Sequence, residues 1–290
     1  MGLRRNVDRR LEKAAARLLI GPIDLKRAFA MNEISFNQEM LTKKTPGLFD
    51  VETTLAHFAI VTYYVDPESL RVHIDERFEP DCVETPDGKK ALVSVVPFLD
   101  RDFRYVRFPW LQWEFGQTNY RAYVTDKETG EHVAWFFGTV LDSIFVNIPR
   151  HLWKLPWHRA KIRFDTSYDK EQARYTRYRM SATSDWASAE LELEDSGQEL
   201  KSLDGFLSLE SGRVILTHPM IGAFNRRDGR LGSYSIWHDK LELTTGRAVT
   251  ARFPLLHRLG LVEKGDLSGL HSVLIQPRTE FTIYLPPTPL

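Results

Sequence analysis

The chain has 290 residues, with 39 basic residues balanced by 39 acidic ones, so it carries no global charge to draw it to nucleic acid or to anionic lipid. Hydrophobic residues make up 42% and charged residues 27%, which excludes a disordered chain and allows a substantial core. One cysteine, Cys82, rules out an intramolecular disulfide and favours a reducing, cytoplasmic setting. Residues 1–50 read as a basic N-terminal helix and a connector. Leu3, Val7, Leu11, Ala14 and Leu18 recur at helical spacing, Gly21-Pro22 stops the helix, and eight basic residues face three acidic ones over 1–27. Such a helix either packs as a solvated face or touches a membrane surface or a partner.

From Val51 to residue 290 the pattern turns to β and reads as one domain. Leu55 to Val65 is a continuous apolar run, as in a strand buried on both faces. Asp66-Pro67-Glu68 starts a helix, with Asp66 as cap and Pro67 in the first turn. Asp87-Gly88 turns a hairpin into the strand Ala91–Phe98, and Asp126 to Gly130 closes a second. Further strands are expected at 161–168, 173–182 and 188–194. A short helix is expected at 203–209, and strands again at 214–217, 233–243, 272–276 and 281–285. Many short strands with few helices imply a mostly β (α+β) fold built on a curled, antiparallel, barrel-like sheet.

No phosphate-cradling loop, dinucleotide fingerprint or nucleophile elbow is present. The nine histidines form no metal-ligand spacing, so neither a metal nor another cofactor is expected. Arg226, Arg227 and Arg230 lack interleaved aromatics and read as solvated rather than as a nucleic-acid surface. Chemistry concentrates between Asn119 and Tyr168, where polar groups sit among large aromatics. Asn119, Arg121 and Tyr123 alternate on one strand face. Arg121 either clamps a carboxylate ligand or pairs with an acid such as Asp142 or Glu114. Trp135 and Trp157 are candidate cavity walls, and His218 a candidate at a cavity mouth. His158, held near aromatics, is the candidate acid–base group, with Lys161 beside it.

At these residues the chain resembles the DUF2071 (YqjF-like) family. The matching text is NYRAYV, VAWFFGTVLDS, LPWHRAKI, LDGFLSLESGRVILTHP and a closing block near Ser272, together covering about residues 55–285. The resemblance implies an acetoacetate decarboxylase-like fold, a curled antiparallel barrel around a cavity. In true decarboxylases of that fold a Gly-[Phe/Tyr]-Pro-Lys-Lys segment supplies a Schiff-base lysine activated by its cationic neighbour. Here Lys154-Leu155-Pro156-Trp157-His158 takes that place, with Trp157 and His158 where the lysines would stand. Decarboxylation through a Schiff base is therefore not expected. The resulting expectation is a cavity that binds a small organic acid or carbonyl compound, with His158 and Lys161 as catalytic candidates. Asn119, Arg121, Tyr123, Trp135, Trp157 and His218 would contact the substrate. A binding module without turnover and a protein-interaction adaptor are the alternatives, and homo-oligomerisation is left open.

Overall fold

The computed structural model describes residues 34–144, 147–265 and 267–290. The helix expected over 1–27 lies outside them. The strands are β1 (Val51–Val65), β2 (Phe78–Pro80), β3 (Cys82–Thr85), β4 (Gly88–Tyr105), β5 (Trp113–Asp126), β6 (His132–Leu141) and β7 (Trp157–Arg159). They continue as β8 (Lys161–Asp169), β9 (Arg174–Thr183), β10 (Ala189–Glu199), β11 (Ile221–Asn225), β12 (Leu231–Trp237), β13 (Thr244–Arg252) and β14 (Leu270–Pro289). The helices are short: α1 (Gln38–Leu41), α2 (Pro67–Arg71), α3 (Asn147–Leu152), α4 (Leu209–Thr217) and α5 (Pro254–Arg258). No helix among the described residues is long and apolar enough to cross a membrane.

All strands join one sheet in the order β1-β4-β5-β6-β11-β12-β14-β13-β10-β9-β8, with β2, β3 and β7 attached at its margins. A further β1–β14 pairing links the first strand of that path to the seventh, so the sheet curls back on itself. The mostly β, curled sheet expected from sequence is present, though it does not close into a regular barrel. The β6–β11 and β6–β7 pairings are parallel, and a second arm, β13-β10-β9-β8, leaves through β14.

Strand alternation sorts most of the buried apolar residues into two large cores, beside a small third cluster around Phe136 and Phe224. Ala59, Val61, Tyr63, Val93, Val95 and Tyr120 meet Tyr178, Met180 and Leu191 of the second arm. Their neighbours Phe58, Ile60, Leu92, Val96 and Tyr123 turn the other way, into the curl, where Ile215 and Leu216 of α4 close it. The break in β1 falls at His57. Six residues of β1 from Ala56 to Val61 face five of β4 from Leu99 to Val95, and His57 takes φ 53°. The flanking pairs Ala56–Arg278 and Phe58–Gln276 place His57 opposite Pro277, which has no N–H to give the ladder.

Asp66 caps α2 by accepting the Ser69 N–H at 2.8 Å, and both expected hairpins form. Four expectations fail. The apolar run 214–217, read as a strand, is the last turn of α4, and the helix expected at 203–209 is absent, since 203–208 is not helical and Leu209 is only the first residue of α4. Ser208 accepts the Ser211 N–H at 3.0 Å and Ser211 answers it in a capping box, which starts the helix where a four-residue apolar run alone gives no period. The two expected C-terminal strands are one strand, β14, because Pro277 sits at the β1 bulge and costs only one ladder bond. The strand expected at 233–243 ends at Trp237, and β13 supplies a strand that sequence reading missed.

Close backbone approach explains one glycine. Gly222 on β11 lies between Ala134 and Tyr234, and a Cβ there would stand 2.7 Å from Phe136 Cε2. Gly222→Ala is expected to cost about 1–3 kcal/mol of stability by overpacking, read as a lower urea midpoint at unchanged slope.

Candidate functional site

The site is built on the inward face of β5. Alternation puts Trp113, Phe115, Gln117, Asn119, Arg121 and Tyr123 in one row. At the inner end the row is a polar network, paired at every residue but not at every atom. Asn119 Oδ1 accepts from Gln117 Nε2 and from Thr139 Oγ1, both at 2.9 Å. Arg121 Nη2 donates to the Leu216 carbonyl at 2.8 Å, and the Tyr123 hydroxyl donates to the same oxygen at 3.1 Å. The guanidinium thus sits at the C-terminal end of α4, where the exposed carbonyls and the helix dipole favour a cation. Its Nε is buried without a hydrogen-bond partner. Neither acid named as a sequence-level partner reaches it. Glu114 pairs with Arg101 at 3.3 Å, and Asp142 Oδ2 accepts the Ile162 N–H at 3.2 Å.

The outer end of the row opens into a cavity of about 230 Å³. Trp113, Phe115, Trp153, Trp157 and Tyr234 are among the aromatic residues of its wall, Val51 and Ile283 of β1 and β14 also line it, and Gln117 and Ser143 supply polar groups. Among the described residues its lining holds no lysine, histidine or carboxylate. The volume is below the roughly 300–1,000 Å³ of pockets for drug-sized ligands, which suits a molecule of few heavy atoms.

The residues singled out from sequence scatter around this frame. Trp157 lines the cavity. Asn119, Arg121 and Tyr123 stand behind Gln117, deeper along the same face. His158 does not share the cavity with Trp157, because adjacent residues of a strand point to opposite faces. Its ring stacks on Trp186 with centroids 4.1 Å apart and planes 3° apart, and burial, with Arg150 and Arg227 nearby, pushes its pKa down to about 4. Lys161 is exposed on β8. Trp135 is buried in the core shared with the second arm, its Nε1 donating to the His73 carbonyl at 3.1 Å. His218 caps α4 and lines a different cavity. Sequence reading missed Trp113, Phe115, Gln117 and Tyr234. Extending the Asn119–Tyr123 alternation toward the N-terminus would have found the first three.

Other reactive groups are held away from this cavity. Cys82 is a free, half-buried thiol whose pKa burial, reinforced by Asp81, pushes up to about 11, so it is a poor nucleophile. No cluster of three or more His, Cys, Asp or Glu side chains among the described residues is placed to hold a metal ion.

The fold is similar to those of several solved structures, acetoacetate decarboxylase and acetoacetate decarboxylase-like enzymes among them. The enduracididine biosynthesis enzyme MppR complexed with pyruvate superposes with a TM-score of 0.53 at 11% identity, covering 86% of this chain and 92% of the other. Acetoacetate decarboxylase from Legionella pneumophila gives 0.53 at 14% identity, with 89% and 98% covered. An acetoacetate decarboxylase-like enzyme from Sphingomonas wittichii gives 0.51 at 12% identity, with 83% and 93% covered. At such identities the likeness concerns the fold alone. By sequence the chain belongs to the DUF2071 family, described as an uncharacterized conserved protein, whose model matches residues 52–280. Comparison with curated proteins finds no match.

Proposed function

We propose that residues 51–290 act as one cytoplasmic unit that captures a small organic acid or carbonyl compound in the cavity between β5, β7, β12 and β14. The carrying observation is an aromatic cavity joined to a polar row, Gln117, Asn119 and Arg121, that leads inward from its edge. The hydrocarbon part of the ligand lies on Trp113, Phe115 and Trp157. Its oxygen atoms turn toward Gln117 and toward the field of Arg121, whose buried charge has no carboxylate in ion-pair distance among the described residues. That a fold neighbour is described with pyruvate bound supports a small oxo acid as the ligand class.

The reading is capture rather than turnover. His158 turns its ring onto Trp186 and Lys161 stands in solvent, so neither is offered as an acid–base group for this cavity. Schiff-base chemistry finds no support in a lining without lysine. Calorimetric titration of the full chain with hexanoate and with 2-oxohexanoate tests the reading. Saturable binding is expected, weakened about tenfold by Trp157→Ala through loss of one aromatic wall, and left unchanged by His158→Ala. Loss of affinity in His158→Ala with none in Trp157→Ala would reverse the assignment.

A further inference from the structure

A second cavity, about 390 Å³, opens on the other side of β12 and β14. The two share no lining residue. Tyr234, Ile283 and Leu285 face the first, whereas Ser235, Trp237 and Tyr284 face the second. The segment around α1 covers this cavity with Ile34 and Met40, and Met220 and Ile236 add apolar wall.

Two of its polar groups lack partners. His218 is fully buried, and neither ring nitrogen makes a well-formed hydrogen bond; Trp237 Nε1 is also buried and unpaired. The His218 ring is fixed by edge contacts to Phe36 at 5.0 Å and His238 at 4.3 Å rather than by polar ones. Each unpaired buried donor or acceptor costs about 1–3 kcal/mol; with the Met40 backbone reaching one nitrogen of the His218 ring, the other ring nitrogen and Trp237 Nε1 call for an occupant that satisfies them. Burial, only partly offset by the Met40 backbone, pushes His218 down to about 4, so the ring is neutral and offers one N–H and one lone pair. Trp237 adds a second N–H. The charges at the rim are mixed, Lys44 against Glu39 and Glu131, so they select neither an anion nor a cation.

We propose that this cavity is a second binding site, for a small molecule whose head is an uncharged amide: its carbonyl accepts from Trp237 Nε1–H, its N–H donates to the His218 lone pair, and its hydrocarbon tail lies on Ile34, Met220 and Ile236. A carboxylate could pair with these groups only by forcing a proton onto the buried ring, and an amide needs none.

The test is a titration of the ¹⁵N-labelled full chain with hexanamide, with hexanoate as the charged control. Hexanamide should shift the His218 ring nitrogens and the Trp237 indole signal together and saturably, leaving the indoles of Trp113 and Trp157 in place. His218→Phe, read at Trp237, and Trp237→Phe, read at His218, should each weaken binding about tenfold, the worth of one buried hydrogen bond. Two variants with separate reporters keep the test sound if one fails to fold. Unmoved His218 and Trp237 signals at millimolar hexanamide would overturn the proposal, as would equal affinity for hexanoate at this site. Because the first cavity is read by other indoles, its failure and this one's are told apart in one spectrum.

Discussion

Asp100→Asn should raise the unfolding free energy by roughly 3 kcal/mol at about pH 8 and leave it nearly unchanged at about pH 4. Asp100 stands on β4 opposite Leu55 and Phe115, buried to 2% exposure, on the inward face that leads to the cavity. Thr53 Oγ1 donates to its Oδ1 at 2.9 Å, but Oδ2 has no partner. Burial therefore dominates, and the Thr53 hydroxyl offsets it only in part, so the carboxyl titrates at about 7. The unfolded chain loses this proton near pH 3.8, whereas the folded chain keeps it to about pH 7. Across that window the folded state binds more protons than the unfolded one, so stability falls as pH rises and then levels off above about 7. A shift of about 3 units is worth about 4 kcal/mol, and the unpaired amide N–H₂ of the asparagine returns about 1 of it. Urea denaturation across pH measures this directly. A variant that follows the wild-type pH profile would show that Asp100 is ionised in the fold.

Asp81→Asn should cost about 2–4 kcal/mol and reverse the sign of the His132 titration shift. His132 begins β6 and holds α4 from below, with Nε2 2.9 Å from the Ile215 carbonyl and Nδ1 2.5 Å from Asp81 Oδ2. Thr125 Oγ1 donates to the other Asp81 oxygen at 2.7 Å. Burial of the His132 ring lowers its pKa, but the Asp81 charge and the Ile215 carbonyl outweigh it, so the net shift is upward. A raised histidine pKa adds stability that is complete below the unfolded value near 6.5 and is lost as pH rises through the folded value. With asparagine at 81 the burial effect is left largely unopposed, so the ring should titrate below the ordinary imidazole value. NMR titration of the His132 ring reads the reversal, and a urea midpoint reads the cost.

The sequence made the scaffold more legible than the site. Continuous burial of β1, the Asp66-Pro67 start of α2 and the hairpins at Asp87-Gly88 and Asp126–Gly130 are local signals, and each survives in the fold. Helix α4 was not legible, because Val214, Ile215 and Leu216 are buried all round and carry no helical or strand period. Strand β14 reads as two strands, 272–276 and 281–285, since nothing local says that His57 will bulge opposite Pro277 and let the strand run on. At the site, the β5 row was half visible through Asn119, Arg121 and Tyr123. Trp157 and His158, adjacent on β7, point to opposite faces and so do not both enter one cavity. The parallel pairing of β7 with β6 turns Trp157 inward and leaves His158 to Trp186. Tyr234 reaches the cavity from β12, more than a hundred residues after β5, through a pairing that no local pattern encodes.

The most direct test of ligand capture in the aromatic cavity is the indole ¹H–¹⁵N spectrum of the seven tryptophans during titration with hexanoate. The signals of Trp113, Trp153 and Trp157 should move together and saturate, while Trp135, in the core, and Trp186, stacked on His158, stay in place. Hexanoate that moves Trp135 or Trp186 and leaves Trp113 and Trp157 still, or that moves none of the seven, would contradict the assignment of this cavity as the binding site.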